Sequence, residues 1–464
     1  MLLRLTLLAS ALVLCGCAIT KVEPPAAAAA PAQFKETGLW QRGAARQEAV
    51  QETVPDAWWL LFKDPVLEDL QQRLVVGNEN LKASAAQVAS ARAVVDASRT
   101  AMLPTLSAGF SGTRSDAAGN GSGPANSLSL SATAGWEVDL WGRLSQASSA
   151  AQSNYQASNN DLAAARLSAQ ALLTQSYFSM RAAEMQQALL ERSVAAYQRS
   201  LELTEARYKG GVASRSDMLQ AQTQLRNAQS QLIDAGTQRG QLEHAIAVLL
   251  GQPPSAFSIA RSAALPVPPA VPELLPSTLL QRRPDIAASQ RRVASAYAQI
   301  GIADAAFFPS LSLSANAGYR NSSLSDLVSA PNLFWSLGSS AAQAIFDGGQ
   351  RRQASAQARA SAEVVSANYR QLVLTALQEV EDNLLLADQL QQQTRLQEEA
   401  LAAAQRNLEI VMDQYRAGTV SYLNVVTAQN AALTSEISLL NARNRQLAAV
   451  NLLLKNIAGR WTPA

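Results

Sequence analysis

Residues 127–136 read Ser-Leu-Ser-Leu-Ser-Ala-Thr-Ala-Gly-Trp. Leu128, Leu130, Ala132, Ala134 and Trp136 alternate with Ser127, Ser129, Ser131, Thr133 and Gly135. A period of two puts the apolar set on one face of a strand and the small polar set on the other. The stretch 105–113 has the same form, with Leu106, Ala108 and Phe110 against Thr105, Ser107, Gly109 and Ser111. So has 310–319, where Leu311, Leu313, Ala315, Ala317 and Tyr319 oppose Ser310, Ser312, Ser314, Asn316 and Gly318. A weaker fourth, 333–341, sets Leu333, Trp335 and Leu337 against Ser336 and Gly338. Segments of about ten alternating residues are the strand signature of a membrane β-barrel, and this polar face suits a water-filled lumen. The segments between the paired strands, Ser115–Asn126 and Arg320–Pro331, read as exposed loops. Gly119-Asn120-Gly121-Ser122-Gly123 joins two strands rather than a strand and a helix, which argues against a phosphate loop.

Four strands do not close a barrel, and the bilayer does not tolerate an open sheet with unpaired edges. The sheet must close with copies of itself. Two copies give eight strands, whose interior side chains largely fill; three give twelve and leave a channel. A soluble sandwich with helical arms is the alternative, but faces of Ala and Ser are poor material for its core.

Outward from the strands the pattern turns helical. Long stretches at about 142–208 and 350–416 follow the strand pairs. Each has roughly 67 residues and spans about 100 Å. Shorter helices return over about 214–250 and 420–457, and others precede the strands at about 66–101 and 279–307. Stacked end to end, a preceding and a returning helix again approach about 100 Å. Leu190, Val194, Tyr197, Leu201 and Tyr208 carry heptad spacing into the first turn. Leu401, Leu408, Val411 and Tyr415 do so into the second, and Leu433, Ile437, Leu440, Leu447 and Leu454 lead out of it.

These elements occur twice. Val88-Ala89-Ser90-Ala91 lies over Val293-Ala294-Ser295-Ala296 at an offset of about 205, and Tyr208–Ser214 over Tyr415–Ser421 at about 207. A Pro-rich joint from Pro253 to Pro276 divides the halves. The domain reading is a signal peptide over 1–16 and a lipid-anchored tether and equatorial segment over 17–65. Repeat 1 covers 66–252, the joint 253–278, repeat 2 279–459, and a tail 460–464.

Composition agrees with long helices packed through small side chains. Ala makes up about a fifth of the 464 residues, aromatics 5% and charged residues 16%. A net charge of +2 implies no polyanion or nucleic-acid partner. Two Cys and the single His244 exclude a Cys/His zinc site, a disulfide framework and a Cys–His catalytic pair in the mature chain. No cofactor or metal site is expected, and no catalytic constellation is visible. His244, beside Glu243, reads as a lone polar helix residue, and Asp139, Asp285 and Asp347 read as caps at element junctions. The chain opens with Arg4 and an apolar run from Leu5 to Leu14, then Leu14-Cys15-Gly16-Cys17. That is a signal-peptide core too short to span a bilayer, ending at a lipobox-like site with Cys17 as the lipidated residue. Ala18 in place of Asp points outward, to the outer membrane.

In order and spacing the chain resembles the TolC-like outer membrane factors, in particular the lipidated branch that includes OprM and the NodT-type lipoproteins. The resemblance rests on Cys17, Trp58-Trp59-Leu60-Leu61-Phe62-Lys63-Asp64-Pro65, Asn80-Leu81 and Trp136-Glu137-Val138-Asp139-Leu140-Trp141-Gly142-Arg143. Arg282-Arg283-Pro284-Asp285-Ile286, Phe346-Asp347-Gly348-Gly349 and both Tyr-x-x-Gly turns extend it over about residues 17–459. It implies an α+β membrane protein: a homotrimer with a twelve-stranded outer-membrane barrel continued by a twelve-helix periplasmic tunnel. It implies an exit duct for an inner-membrane pump, reached through a periplasmic adaptor and carrying small molecules such as drugs. A duct for protein or polysaccharide secretion, and an envelope lipoprotein without a pore, are the alternatives.

The resemblance also implies site residues. The tips Tyr208, Gly211, Val212 and Ala213, and Tyr415, Gly418, Thr419 and Val420, would meet the adaptor. The periplasmic aperture would be ringed by Asp217, Asn424 and Thr427, of which only Asp217 is acidic. Asp217 equally suits a helix N-terminus capped by Ser214.

Overall fold

The computed structural model describes residue 23 and residues 31–38, 57–116, 124–262, 264–271 and 282–457. The lipobox with Cys17, the tip of the first inter-strand loop and the C-terminal tail lie outside these. Seven α-helices and four strands are described: α1 (Pro65–Gly77), α2 (Glu79–Thr100), β1 (Thr105–Ser115), β2 (Ala125–Val138), α3 (Arg143–Lys209) and α4 (Arg215–Leu249) make the first half. α5 (Pro284–Ala305), β3 (Ser310–Asn321), β4 (Leu333–Ala342), α6 (Gln350–Arg416) and α7 (Tyr422–Ile457) make the second. The repeat is close to residue-exact: α2 and α5 have 22 residues each, and α3 and α6 have 67 each. None of the described helices is long and apolar enough to cross a membrane.

One compact unit contains Ala85–Asn160 and Ile286–Gln371. Its sheet is antiparallel in the order β1-β2-β3-β4, leaving β1 and β4 as edges. The register keeps the two faces separate over most of the sheet, with Phe334 opposite Gly318 and Ser339 opposite Leu313 as exceptions in β4. Phe110 pairs with Leu130 and Leu130 with Tyr319, while Ser111 pairs with Ser129 and Thr133 with Asn316. Nearly every side chain on both faces is exposed or half-buried in the single chain. At the base of the sheet the Trp141 ring stacks on Phe308 at 4.9 Å, and its indole donates to the Pro309 carbonyl. Asp139 accepts from the Leu144 and Ser145 amides and so caps α3. Asp347 accepts from the Gly349 and Arg351 amides ahead of and within α6; together with the Arg351 guanidinium these bonds hold its carboxyl down at about 2. The second inter-strand loop is not wholly exposed, because Leu327 is buried.

The other unit comprises the described parts of Ala29–Ser84, Asp161–Asp285 and Leu372–Ala464. It holds a large apolar core at the waist, around Trp58, Phe62, Leu70, Phe178 and Leu453, and a small one at the helix tips. Two helices expected as continuous are broken. Instead of one helix over 66–101, α1 ends at Gly77 and α2 starts at Glu79. Asn78 between them is extended, accepts from the Leu81 amide and donates to the Leu249 carbonyl. Gly77 is required there because a Cβ would collide with the Leu250 carbonyl. Likewise α5 begins at Pro284 after a non-helical Arg283, since proline suits the first turn and restricts the residue before it. The Asp285 carboxylate takes the Arg283 guanidinium at 2.6 Å.

Candidate functional site

The two helix tips are built alike. Gly211 and Gly418 take φ of 72° and 80°, where an L side chain is strained. The Val212 amide reaches back to the Arg207 carbonyl and the Thr419 amide to the Gln414 carbonyl, satisfying the open ends of α3 and α6. Only the first return is closed by a capping box. Ser214 Oγ accepts from the Asp217 amide at 3.2 Å, and the Asp217 carboxylate accepts from the Ser214 amide at 3.1 Å.

Neutral hydroxyls and one guanidinium hold the tips together. Tyr415 and Tyr422 meet edge to face at 5.4 Å. Their hydroxyls lie 3.3 Å from Thr204 Oγ1 and 3.2 Å from Ser200 Oγ respectively. Burial pushes the Tyr422 and Tyr197 phenols up, keeping them neutral. Arg207 donates to the Tyr415 and Arg416 carbonyls at 2.9 and 3.2 Å and lies 4.8 Å from the Tyr415 ring centre. A cation on the last carbonyls of α6 also meets the negative end of its dipole. Sequence reasoning missed Arg207: at the repeat offset its counterpart is Gln414, so no shared motif marks it.

Of the expected tip residues, Tyr208 and Val212 are exposed, as are Gly211, Gly418 and Thr419. Ala213 is half-buried, and Val420 packs against the tip core. Tyr415 is buried, so the expectation that it meets an adaptor is corrected: its ring supports the tip from within. Asp217 is half-buried, whereas Asn424 and Thr427 are exposed. The Thr427 hydroxyl donates to the Leu423 carbonyl of its own helix.

At the waist lies a charged chain that sequence reasoning also missed. Asp64 caps α1 and accepts from the Tyr177 hydroxyl at 2.7 Å; Arg181 donates to that same hydroxyl and to Glu184. Glu184 also accepts from Arg239 and from the Ser262 amide. Arg239 pairs with Glu243, which accepts the Ile259 amide. Burial and the Asp64 bond push the Tyr177 phenol far up. Burial opposes the Arg181 charge, but Glu184 and Tyr177 outweigh it and hold its pKa up. The available signal was Arg181 with Glu184 at i,i+3 and Arg239 with Glu243 at i,i+4. His244, next to Glu243, is exposed. No group of three or more potential metal ligands is found among the described residues.

The order strand pair, long helix, glycine turn, returning helix, given twice, is matched by the family model described as outer membrane efflux protein, over residues 70–252 and 275–459. The chain belongs to the outer membrane efflux protein family. The match breaks within the Pro-rich joint. The antibiotic efflux pump outer membrane protein ArpC of Pseudomonas putida is 30% identical over 98% of this chain and 95% of its own. The pyoverdine export outer membrane protein OpmQ of Pseudomonas aeruginosa is 29% identical over 99% and 97%. The outer-membrane channel OprN superposes with a TM-score of 0.88 at 27% identity, over 95% of this chain and 99% of that one. The protein is thus the outer-membrane component of an efflux system, and its relatives are channels rather than enzymes. An envelope scaffold without a pore does not fit them.

Proposed function

We propose that three copies close into a twelve-stranded barrel and that the long helices continue it as a periplasmic tunnel. The carrying observation is the sheet: two unpaired edges, an apolar face and a Ser, Thr and Gly face. Such a sheet is stable in lipid only once closed. The duct receives small molecules from an inner-membrane pump through an adaptor that docks at Tyr208, Gly211, Val212, Gly418 and Thr419. The named cargoes of ArpC and OpmQ, antibiotics and pyoverdine, support small organic substrates over protein or polysaccharide. Asp217 contributes the acidic ring of the periplasmic aperture, beside neutral Asn424 and Thr427. Cys17 carries the lipid that tethers the mature chain to the outer membrane. The test is conductance of the purified protein in planar bilayers together with efflux by cells lacking their own duct. Charged replacements at Val212 should abolish efflux and leave oligomers and conductance intact. A protein that never conducts sinks the reading.

A further inference from the structure

Resting on the reading that copies close the barrel, we propose the register in which they do so: β4 of one copy pairs with β1 of the next so that partner residue numbers add to 451. The internal repeat carries the inference. α2 maps onto α5 with a shift of 205, and α3 onto α6 with a shift of 207. Shifting β1 by 205 and β2 by 207 superposes the two hairpins pair for pair: Thr105–Gly135 falls on Ser310–Ala342, and Ser107–Thr133 on Ser312–Ser340. The seam between the halves joins the second strand of one repeat to the first strand of the next. Its partners, such as Leu130 with Tyr319 and Trp136 with Leu313, have numbers adding to 449. The seam between copies joins the same two kinds of strand. Moving the β2 partner on by 207 and the β3 partner back by 205 turns 449 into 451.

Chemistry at the free edges fits this register. On the polar face Ser340 meets Ser111, Ser336 meets Ser115 and Ala342 meets Gly109 of the next copy. On the apolar face Ala341 meets Phe110. The register also finds a partner for the most exposed apolar residue of the unit. Ile345, just beyond β4, is 96% exposed, and Leu106 is 78% exposed. The rule sets Ile345 against Leu106 of the next copy. Within the chain the same place is filled by Val138 against Leu311, both half-buried. Pairing therefore extends β4 past Ala342 by at least three residues. Because β3 fixes the faces of β4, a slip of one residue at the seam would set apolar Leu337 against polar Thr113 and Ser340 against Phe110. Slips of two keep the faces but abandon the geometry of the internal seam.

Disulfide trapping in native outer membranes reads the register directly. Directly opposed residues bring their Cβ atoms within about 4.5–5.5 Å, and diagonal ones stay about 7–8 Å apart, so only the former approach disulfide range. The chain's own cysteines, Cys15 and Cys17, fall in the signal and lipid-anchor segment. Under mild oxidant, Ser340→Cys with Ser111→Cys should give a ladder ending in a cross-linked trimer. Its yield should be at least about tenfold above Ser340→Cys with Gly109→Cys or with Thr113→Cys. Gly109 has open space where the new Cβ goes. A second series, Ser336→Cys with Ser115→Cys against Ser336→Cys with Thr113→Cys, should repeat the preference. Strongest cross-linking in a shifted pair overturns the register and leaves closure by copies standing. No cross-linking in any pair, although each thiol is reactive in the membrane, overturns closure itself.

Discussion

The waist and the tips are cut from the same helices, yet they are held in opposite ways. At the waist Trp58 is fully buried and its indole donates to Asn451, which in turn donates to the Ala171 carbonyl. Around it the chain from Asp64 to Glu243 ties α1, α3, α4 and the segment after Pro253, with Arg181 and Glu184 buried at its centre and Asp64, Arg239 and Glu243 half-buried at its ends. At the tips the core is a handful of side chains, and the polar links are hydroxyl pairs at 3.2–3.3 Å plus Arg207 on two carbonyls. Removing one partner of a buried ion pair strands the other charge at about 3–5 kcal/mol, whereas a neutral hydroxyl pair contributes about 0.5–1.5 kcal/mol. The waist is therefore held more firmly than the tips, which can part at a lower cost.

Mutations put this contrast to the test. The largest effect is expected at the waist: Trp58→Ala removes a buried ring and leaves Asn451 short of a donor, costing about 3–5 kcal/mol. Denaturant melts of the purified protein should register it, and a loss near zero would mean that the N-terminal segment is only loosely laid on the helices. Next, Glu184→Ala leaves Arg181 and Arg239 facing each other without their shared carboxylate, at about 3 kcal/mol. The same melts measure it; tolerance of this change would erase the distinction drawn above.

Arg207→Gln tests the tips. It removes the guanidinium from the α6 carbonyls and from the Tyr415 ring, a loss of about 1–2 kcal/mol confined to the end of the molecule. The expected result is a higher open probability in bilayer recordings with an unchanged melting midpoint. Equal shifts in both would place the tips in the same cooperative unit as the waist. The smallest effect separates the two roles of Asp217. Ser214→Ala should cost about 1 kcal/mol as a lost cap and leave ion selectivity alone. Asp217→Asn should in addition weaken cation selectivity and block by millimolar divalent cations. If the two variants behave alike in the recordings, Asp217 is a helix cap and nothing more.

Some of this was legible residue by residue. Alternation marked each strand to within two residues at either end, because a strand with one apolar and one polar face holds a period of two over most of its length; β4, with Phe334 and Ser339 out of phase, was the weakest. The long helices were equally plain, with no interior proline and glycines at both turns. The breaks at Asn78 and Arg283 were not. Asn78 caps the next helix through the Leu81 amide, a local signal, but the break is held open by Leu249 and Leu250, far along the chain, which offer a carbonyl and a close backbone. Tyr415 misled for a related reason: its motif marks a turn but not the side on which the ring lands. Arg207 carries no motif, since its partners are backbone carbonyls, and the i,i+3 and i,i+4 pairs of the Glu184 chain do not reveal that Arg239 and the Ser262 amide reach Glu184 from other segments.

What depends on local period and on repetition could be read from the residues alone: four two-faced strands, paired long helices, their glycine turns and the doubling of the whole. Those follow from backbone geometry and from which side chains tolerate lipid or water. The strand register, the approach of Leu249 and Leu250 to Asn78, the burial of Tyr415 and Leu327, and the sharing of Glu184 between Arg181 and Arg239 were settled by the fold. Each of these depends on distances between segments distant in the chain, and no local pattern encodes such distances.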